Sequence, residues 1–409
     1  MAAAPAVRVL ILLPADLLSQ KIGGIQSFVR DFIKFAPADF QIELCSTTTD
    51  PGTRPVGEWR EIDIEGRPVR NLPLVSVGDV HRRSRIPIAL RYTVRLLLHR
   101  RRLATGGRVL QFHRAGVPLA LIGRGAAAIQ VVHLNVADIY GGEGESRWRL
   151  LPGLYHRVED LTIKRMERVF VVNQAGVEFY RRRHPAVANR VAFMPTWYDD
   201  SIFRPPRPAE QAVARAELLD VIGGRPDDRL VMFVGRLDVQ KDPVLLVEAF
   251  AAAADAAGPA RLIVIGDGPL RGDMEQRARE LGVAGEVHFV GWQPRSRIAA
   301  MHRGADALLM ASRFEGMPIA VLEALACGLP VAAPAVGEIP RLVSDGVSGQ
   351  LATERTATGI GGALAATLRL GRDRLSEGAQ LSARPYASSA VLGPFYEAHR
   401  AAAAAKPAG

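Results

Sequence analysis

Apolar residues along this chain gather in short unbroken runs more often than they alternate with polar ones. In the first half the runs cover residues 7–14, 40–46, 109–113, 129–135, 169–173 and 191–195. In the second half they cover 230–235, 261–266, 286–291, 307–311 and 330–335. Runs of this length, rich in Val, Ile, Leu and Phe and spaced widely enough for helices, predict parallel strands buried on both faces. The alternation of strand and helix comes in two blocks, which predicts an α/β chain of two doubly wound domains. A join is expected within 194–208, where Pro205, Pro206 and Pro208 interrupt both helix and strand. This gives a first domain over 1–200, a second over 201–385, and a terminal segment over 386–409. That segment's helix is expected to return to the first domain, with a frayed low-complexity end from 401 onward.

The totals fit this picture. A length of 409 residues suits two cores, and 48% apolar with 23% charged residues is a globular composition. Cys45 and Cys327 lie far apart and form neither a disulfide framework nor a zinc-ligand spacing, so a reducing compartment is expected. No apolar run approaches the roughly 20 residues of a membrane span. Residues 7–14 have no basic stretch before them and no small-residue cleavage site soon after. They read as a first strand rather than a signal peptide.

Charge changes the picture more. The formal net charge is +10, with 29 Lys+Arg against 19 Asp+Glu in residues 1–200 and 23 against 23 in 201–409. Eight arginines fall between His81 and Arg102, a stretch without an acid. A localised basic face points to an anionic partner, a membrane surface or a nucleic acid. Aromatics are only 6%, the basic segment carries only Tyr92, and no nucleic-acid-binding module is visible, so no nucleic-acid partner is expected. Residues 86–102 read as a helix with Pro87 near its start. Arg91, Arg95, His99 and Arg102 form one stripe, and Leu90, Val94 and Leu97 lie on another side. Such a helix either meets a bilayer or packs on the sheet with a solvated arginine edge.

The most specific stretch is Ser312-Arg-Phe-Glu-Gly-Met-Pro-Ile-Ala-Val-Leu-Glu-Ala-Leu-Ala-Cys-Gly-Leu-Pro330. It follows a predicted strand; Pro318 suits the first helical position and Gly328 the C-terminal cap. Glu315 and Gly316 then stand in the loop, and Glu323 falls in the second helical turn. The helix amino terminus between them offers free N–H groups and a positive dipole end, a seat for an anion. By spacing alone the two glutamates read better as a surface residue and a helix-solvating one. Phe-Glu-Gly-x-Pro and Cys-Gly-x-Pro around them shift that balance.

In this setting Glu315-x7-Glu323 resembles the motif of the retaining glycosyltransferases of family GT4, which adopt the GT-B fold of two Rossmann-like domains facing across a cleft. The resemblance covers most of the chain. Val234-Gly235-Arg236-Leu237 followed by Lys241 is similar to the strand and loop whose Arg and Lys grip the donor diphosphate. Lys241 is one of only two lysines past residue 200, mild support for a phosphate role. Ile265-Gly-Asp-Gly-Pro269 and His288-Phe-Val-Gly291 also fit, the second placing backbone near Val290 against the nucleobase. Gly23 and Gly24 follow the first strand, where backbone approaches a ligand without a Cβ, and the resemblance places them against the sugar and diphosphate. His113 and His133 end strands, where open α/β sheets bind ligands. His133 is similar in position to the family histidine that contacts the donor sugar.

The resemblance implies a donor site of Gly23, Gly24, Arg236, Lys241, Val290, Gly316, Met317 and Glu323, with Glu315, His133, Arg236 and Lys241 carrying the reaction. The co-substrate is a UDP- or GDP-sugar that gives up a hexosyl unit with retention. No protein nucleophile is expected, since the departing phosphate takes the acceptor proton. No Asp-x-Asp and no metal-ligand spacing occurs, so no metal and no cofactor is expected. The acceptor is expected to be a glycan or a lipid-linked molecule at a membrane, reached through the basic segment from Arg82 to Arg102. The protein would then be cytoplasmic and peripheral on the inner face of the cell membrane. Two alternatives stay open: a GT-B nucleotide-sugar epimerase, and transfer to a soluble acceptor. One departure stands out. The family commonly reads Gly-Gly-x-Pro-Glu where this chain has Gly337-Glu338-Ile339-Pro340-Arg341, and a glutamate near phosphates is unfavourable unless it points outward.

Overall fold

Every one of the eleven apolar runs contains a strand. The computed structural model describes residues 6–19, 23–78, 87–103, 106–114, 116–121, 126–133 and 152–405. It divides the chain into two units, one of Met1–Pro195 with Val391–Gly409 and one of Thr196–Ala390.

The first unit contains β1 (Val7–Leu12), β2 (Phe40–Thr48), β3 (Arg60–Ile64), β4 (Arg67–Ser76), β5 (Arg108–Phe112), β6 (Ala127–Val132), β7 (Arg168–Val171) and β8 (Val191–Phe193). Their order in the sheet is β3-β4-β2-β1-β5-β6-β7-β8. All neighbours run parallel except β3 and β4. These two strands form an antiparallel hairpin that leaves no continuous apolar run in the sequence: β3, at the sheet edge, alternates in polarity, and the apolar residues of β4 are interrupted by Asn71 and Pro73. Ile64 pairs with Arg67 across a two-residue turn in which Glu65 and Gly66 both have positive φ, 54° and 81°. That turn matches the right-handed twist of the strands it joins.

The second unit contains β9 (Arg229–Val234), β10 (Ala260–Ile265), β11 (Val287–Gly291), β12 (Ala307–Leu309), β13 (Val331–Pro334) and β14 (Gly349–Ala352). All pairs are parallel, in the order β11-β10-β9-β12-β13-β14. Leu230, Val231, Met232 and Phe233 are all fully buried, as a strand covered by helices on both faces requires. The strand order reverses between β9 and β12. Outside the carboxyl ends of the strands at such a reversal, open sheets have the crevice in which ligands bind.

The last helix, Ser388–Ala405, belongs to the first unit from Val391 onward. Tyr396 donates to the Phe32 carbonyl at 2.9 Å, and Arg400 pairs with Asp39 at 2.9 Å. Among the described residues no helix is long and apolar enough to cross a membrane.

Candidate active site

Two loops of the second unit leave the sheet on either side of the reversal, one after β9 and one after β12. The first runs from Gly235 to Asp242 and the second from Met310 to Pro318. They are joined by backbone: the Arg313 N–H donates to the Gln240 carbonyl at 2.9 Å, and the Gln240 side chain donates to the Phe314 carbonyl at 3.2 Å. Side by side, the loops bring together Lys241 and Glu315, which lie 74 residues apart in sequence. The ammonium stands 2.5 Å from Glu315 Oε1, and the two side chains are 16% and 4% exposed. Glu315 is thus already paired with a cation before any ligand arrives.

Lys241 is held from behind. Asp242, the next residue, adopts a left-handed backbone at φ 49°, ψ 63° and opens the helix Pro243–Ala257. A non-glycine residue pays for that conformation in strain. Here its carboxylate accepts two N–H groups from Arg355 at 2.9 and 3.0 Å and pairs with Arg313 at 3.0 Å. The β9 loop is also pressed against the β10 loop. Gly266 has φ 126°, and a Cβ there would lie 1.9 Å from the Gly235 carbonyl oxygen.

Glu315 has its own backstop. Gly337 has φ 56°, and a Cβ there would fall 1.7 Å from the Glu315 carbonyl oxygen. Gly337→Ala is therefore expected to displace Glu315, lowering turnover at least tenfold and costing about 1–3 kcal/mol of stability from the strained backbone alone. Turnover and denaturant midpoint on the purified variant check this. Unchanged values for both would contradict the close packing.

Glu323 is the fifth residue of the helix Ile319–Ala326. Pro318 caps that helix from just outside rather than opening it, and Gly328 ends it at φ 67°. The Glu323 carboxylate faces Arg295, whose Nη2 is 3.3 Å from Oε1. Arg295 opens the helix Arg295–Gly304, lies over the Phe203 ring at 5.5 Å and has buried Asp199 at 4.0 Å. The sequence reading missed Arg295 because a lone arginine after a strand carries no pattern. Gly316 is half-buried and Met317 buried in the loop between the two glutamates. Arg236 stands apart from this cluster: its side chain is 68% exposed and pairs with Asp238 at 2.7 Å. Val290 lies in β11, the sheet edge, with its carbonyl accepting from the Gln293 side chain at 2.8 Å.

Glu338 does not point outward. Its side chain is buried and pairs with Arg341 at 3.1 Å across one helical turn. The two positions that depart from the family pattern therefore neutralise each other.

In the first unit, Gly23 caps the helix Gly24–Lys34 with φ −96°, ψ 172°, a conformation open to any residue. Neither Gly23 nor Gly24 has positive φ, and a Cβ on Gly23 would meet only the flexible Gln26 side chain at 3.3 Å. Folding therefore does not demand glycine at position 23. His113 and His133 follow β5 and β6, with His113 Nδ1 2.9 Å from His133 Nε2.

The basic segment forms the helix Ile88–His99, and its residues before Pro87 lie outside the described ones. Tyr92 and Leu96 anchor it, with the Tyr92 hydroxyl donating to the Cys45 carbonyl at 2.7 Å. Leu90, Val94, Leu97 and Leu98 are 55%, 49%, 37% and 71% exposed. Their spacing makes them one stripe, and Arg91 and Arg95 flank it. The apolar side of this helix thus faces solvent. Among the described residues no group of three or more His, Cys, Asp or Glu side chains is placed to hold a metal ion.

The family model for glycosyl transferases group 1 matches residues 215–381, the span that contains Arg236, Lys241, Arg295, Glu315 and Glu323. The chain carries a group 1 glycosyl transferase domain. The D-inositol 3-phosphate glycosyltransferase of Segniliparus rotundus is 32% identical to this chain over 265 residues, covering 63% of this chain and 55% of the relative. That of Mycobacteroides abscessus is 32% identical over 250 residues, covering 59% and 52%. The chain thus spans about half the length of the curated relatives it matches. Among solved structures, a sucrose-phosphate synthase of Thermosynechococcus elongatus has a TM-score of 0.77 at 21% identity, covering 97% of this chain and all of its own. HepE of Anabaena in complex with UDP-glucose has a TM-score of 0.70 at 15% identity, covering 96% and 99%. At these identities the likeness to the solved structures is one of fold, and that fold is GT-B. In the group 1 domain, Lys241 and Glu315 meet at the sheet's topological reversal.

Proposed function

We propose that this chain transfers a hexosyl unit from a UDP- or GDP-sugar to an acceptor hydroxyl with retention of anomeric configuration. The observation that carries the reading is the pair of half-buried Lys241 and buried Glu315 beside the amino terminus of the helix Ile319–Ala326. Negative charge grows on the diphosphate as its bond to the sugar breaks. Fixed cations and free N–H groups lower that barrier because they need no reorganisation during the reaction. Lys241 supplies the near cation, and Arg236 turns from Asp238 to a second phosphate oxygen. Glu315 holds the ammonium and orients sugar hydroxyls with its remaining lone pairs. Glu323, kept in place by Arg295, accepts the ribose hydroxyls. The bond from the anomeric carbon to phosphate oxygen breaks, the bond to the acceptor oxygen forms on the same face, and the acceptor proton leaves with the phosphate. HepE, bound to UDP-glucose in a related fold, supports a nucleotide-sugar donor.

Charge on the leaving group is met here by side chains, so transfer is expected to persist in excess EDTA. Abolition by EDTA, restored by Mg²⁺ or Mn²⁺, would contradict this assignment. A product assay without acceptor separates transfer from epimerisation, since only an epimerase converts its sugar nucleotide alone.

For the acceptor, the exposed stripe of Leu90, Val94, Leu97 and Leu98 beside arginines supports a membrane-located or lipid-linked molecule, met at an anionic surface on the cytoplasmic face. A second reading, transfer to a soluble phosphorylated acceptor, is favoured by the relatives named for D-inositol 3-phosphate. Vesicle binding divides the two.

A further inference from the structure

A buried polar chain crosses the first unit and ends at His133. His133 Nε2 lies 2.9 Å from His113 Nδ1, and His113 Nε2 lies 2.9 Å from the Gln111 amide nitrogen Nε2. The amide oxygen Oε1 lies 2.8 Å from His399 Nε2, and His399 Nδ1 lies 2.8 Å from the Phe395 carbonyl oxygen. Gln111 and His399 are fully buried and His113 nearly so. Gln111 sits in β5, His113 follows it, His133 follows β6, and His399 comes from the last helix. Four groups from three distant parts of the chain are therefore joined end to end.

The anchor at Phe395 fixes the direction of every bond in this chain. A backbone carbonyl only accepts, so His399 Nδ1 must carry a proton. The His399 ring is enclosed by Phe32, Phe40 and Phe395, with ring centres at 5.1, 6.2 and 4.7 Å. Burial there pushes its pKa down to about 4, so the ring is neutral near pH 7 and its Nε2 is a bare lone pair. That lone pair requires the NH₂ end of the Gln111 amide. An amide oxygen in that place would need a doubly protonated ring. As placed, the Gln111 oxygen faces His399 and its NH₂ faces His113. A half-turn exchanges the two ends within the same space, and the bonds His399 makes call for the exchanged orientation. The Gln111 oxygen then faces His113, which must donate from Nε2 and keep Nδ1 bare. His133 must in turn donate from Nε2 into His113. Burial drives the pKa of His113 well below the usual histidine value and that of His133 down to about 3, so neither escapes the sequence by charging.

We infer that His399, acting through Gln111 and His113, is a positioning residue that locks His133 with its proton on Nε2 and an acceptor lone pair on Nδ1. Nδ1 is the nitrogen not engaged in the chain. His133 therefore meets its ligand as a hydrogen-bond acceptor and takes a proton-donating sugar hydroxyl rather than a carbonyl or phosphate oxygen. The functional half of this inference rests on the donor-sugar role that the family resemblance implies for His133. The tautomer order itself does not.

The test is ¹⁵N NMR of the full chain labelled at histidine, without ligand at pH 7.5, with signals identified by their loss in single variants. The expected result is Nδ1–H at His399 and Nε2–H at both His113 and His133. In His399→Phe the Gln111 amide loses its director, and His133 is expected to populate both tautomers. Hydrolysis of UDP-glucose or GDP-mannose, whichever the wild type accepts, should then fall about tenfold in kcat, as for lost outer partners of metal-bound histidines. KM should change less than twofold. Gln111→Met, close in size but without an amide, provides the same readout should His399→Phe not fold. Nδ1–H at His133 in the wild type, or an unmoved tautomer in both variants, overturns the relay. A moved tautomer with unchanged kcat, while His133→Ala lowers kcat, overturns the positioning role. If His133→Ala itself leaves kcat unchanged, the donor-sugar role of His133 fails, and the functional half of the inference with it.

Discussion

Lys241→Met is expected to lower kcat for glycosyl transfer about 100- to 1,000-fold, the usual consequence of removing one fixed donor from a developing oxyanion. Methionine keeps the apolar stem and discards only the ammonium. The substitution also strips Glu315 of its partner, and that carboxylate is 4% exposed. Breaking a buried pair by removing one member costs about 3–5 kcal/mol, less here because the lysine end touches solvent. Loss of activity could then reflect loss of fold. Lys241→Met with Glu315→Gln separates the effects, because it leaves no buried charge uncompensated. The double variant should regain most of the denaturant midpoint and none of the transfer. Recovery of transfer together with stability would show that Lys241 serves the fold and not the phosphate.

The second large effect concerns the helix Ile88–His99 and the arginines after it. Arg95, Arg100, Arg101 and Arg102 are all exposed. Each arginine near an anionic surface contributes about 1 kcal/mol, so replacing all four by glutamine should weaken vesicle binding about 1,000-fold. The interaction decays over a Debye length of about 8 Å at physiological salt, so salt should release the wild type. Val94→Ser with Leu98→Ser, which keeps every charge, should weaken binding even at low salt. A bilayer contact made only by charge would leave that variant unaffected. Co-sedimentation with anionic and neutral vesicles measures all of this. If the wild type ignores anionic vesicles, the soluble phosphorylated acceptor becomes the stronger reading.

Much of the fold was legible because buried parallel strands are written as continuous apolar runs, and all eleven runs contain strands. The edge strand β3 was not, since it is half solvated and its residues alternate; β4 has its apolar residues broken up by Arg70, Asn71 and Pro73, and β14 is only four residues long. The two-residue Glu65–Gly66 turn was the available signal. In the site, Glu315, Glu323 and Lys241 stood out through their local patterns, yet the pairing of Lys241 with Glu315 spans 74 residues and no local pattern encodes it. Arg295 and Arg355 were invisible for the same reason, being ordinary arginines until the fold brings them to Glu323 and Asp242. The mutual neutralisation of Glu338 and Arg341 could have been read, since both depart from the family pattern three residues apart. Neither exposed Leu98 nor buried Tyr92 follows from helical periodicity alone, because the stripe facing the sheet must be known first.

The central claim is that the second unit binds the nucleoside diphosphate of a sugar donor between the β9 and β12 loops. Calorimetric titration of UDP and of GDP onto the full chain and onto Glu323→Gln tests it most directly. One nucleotide should bind the wild type at a ratio of one, and Glu323→Gln should bind it at least tenfold more weakly, in line with about 1.5–3 kcal/mol for hydrogen bonds to a charged group. No binding of either nucleotide, or equal binding by wild type and variant, would contradict the account.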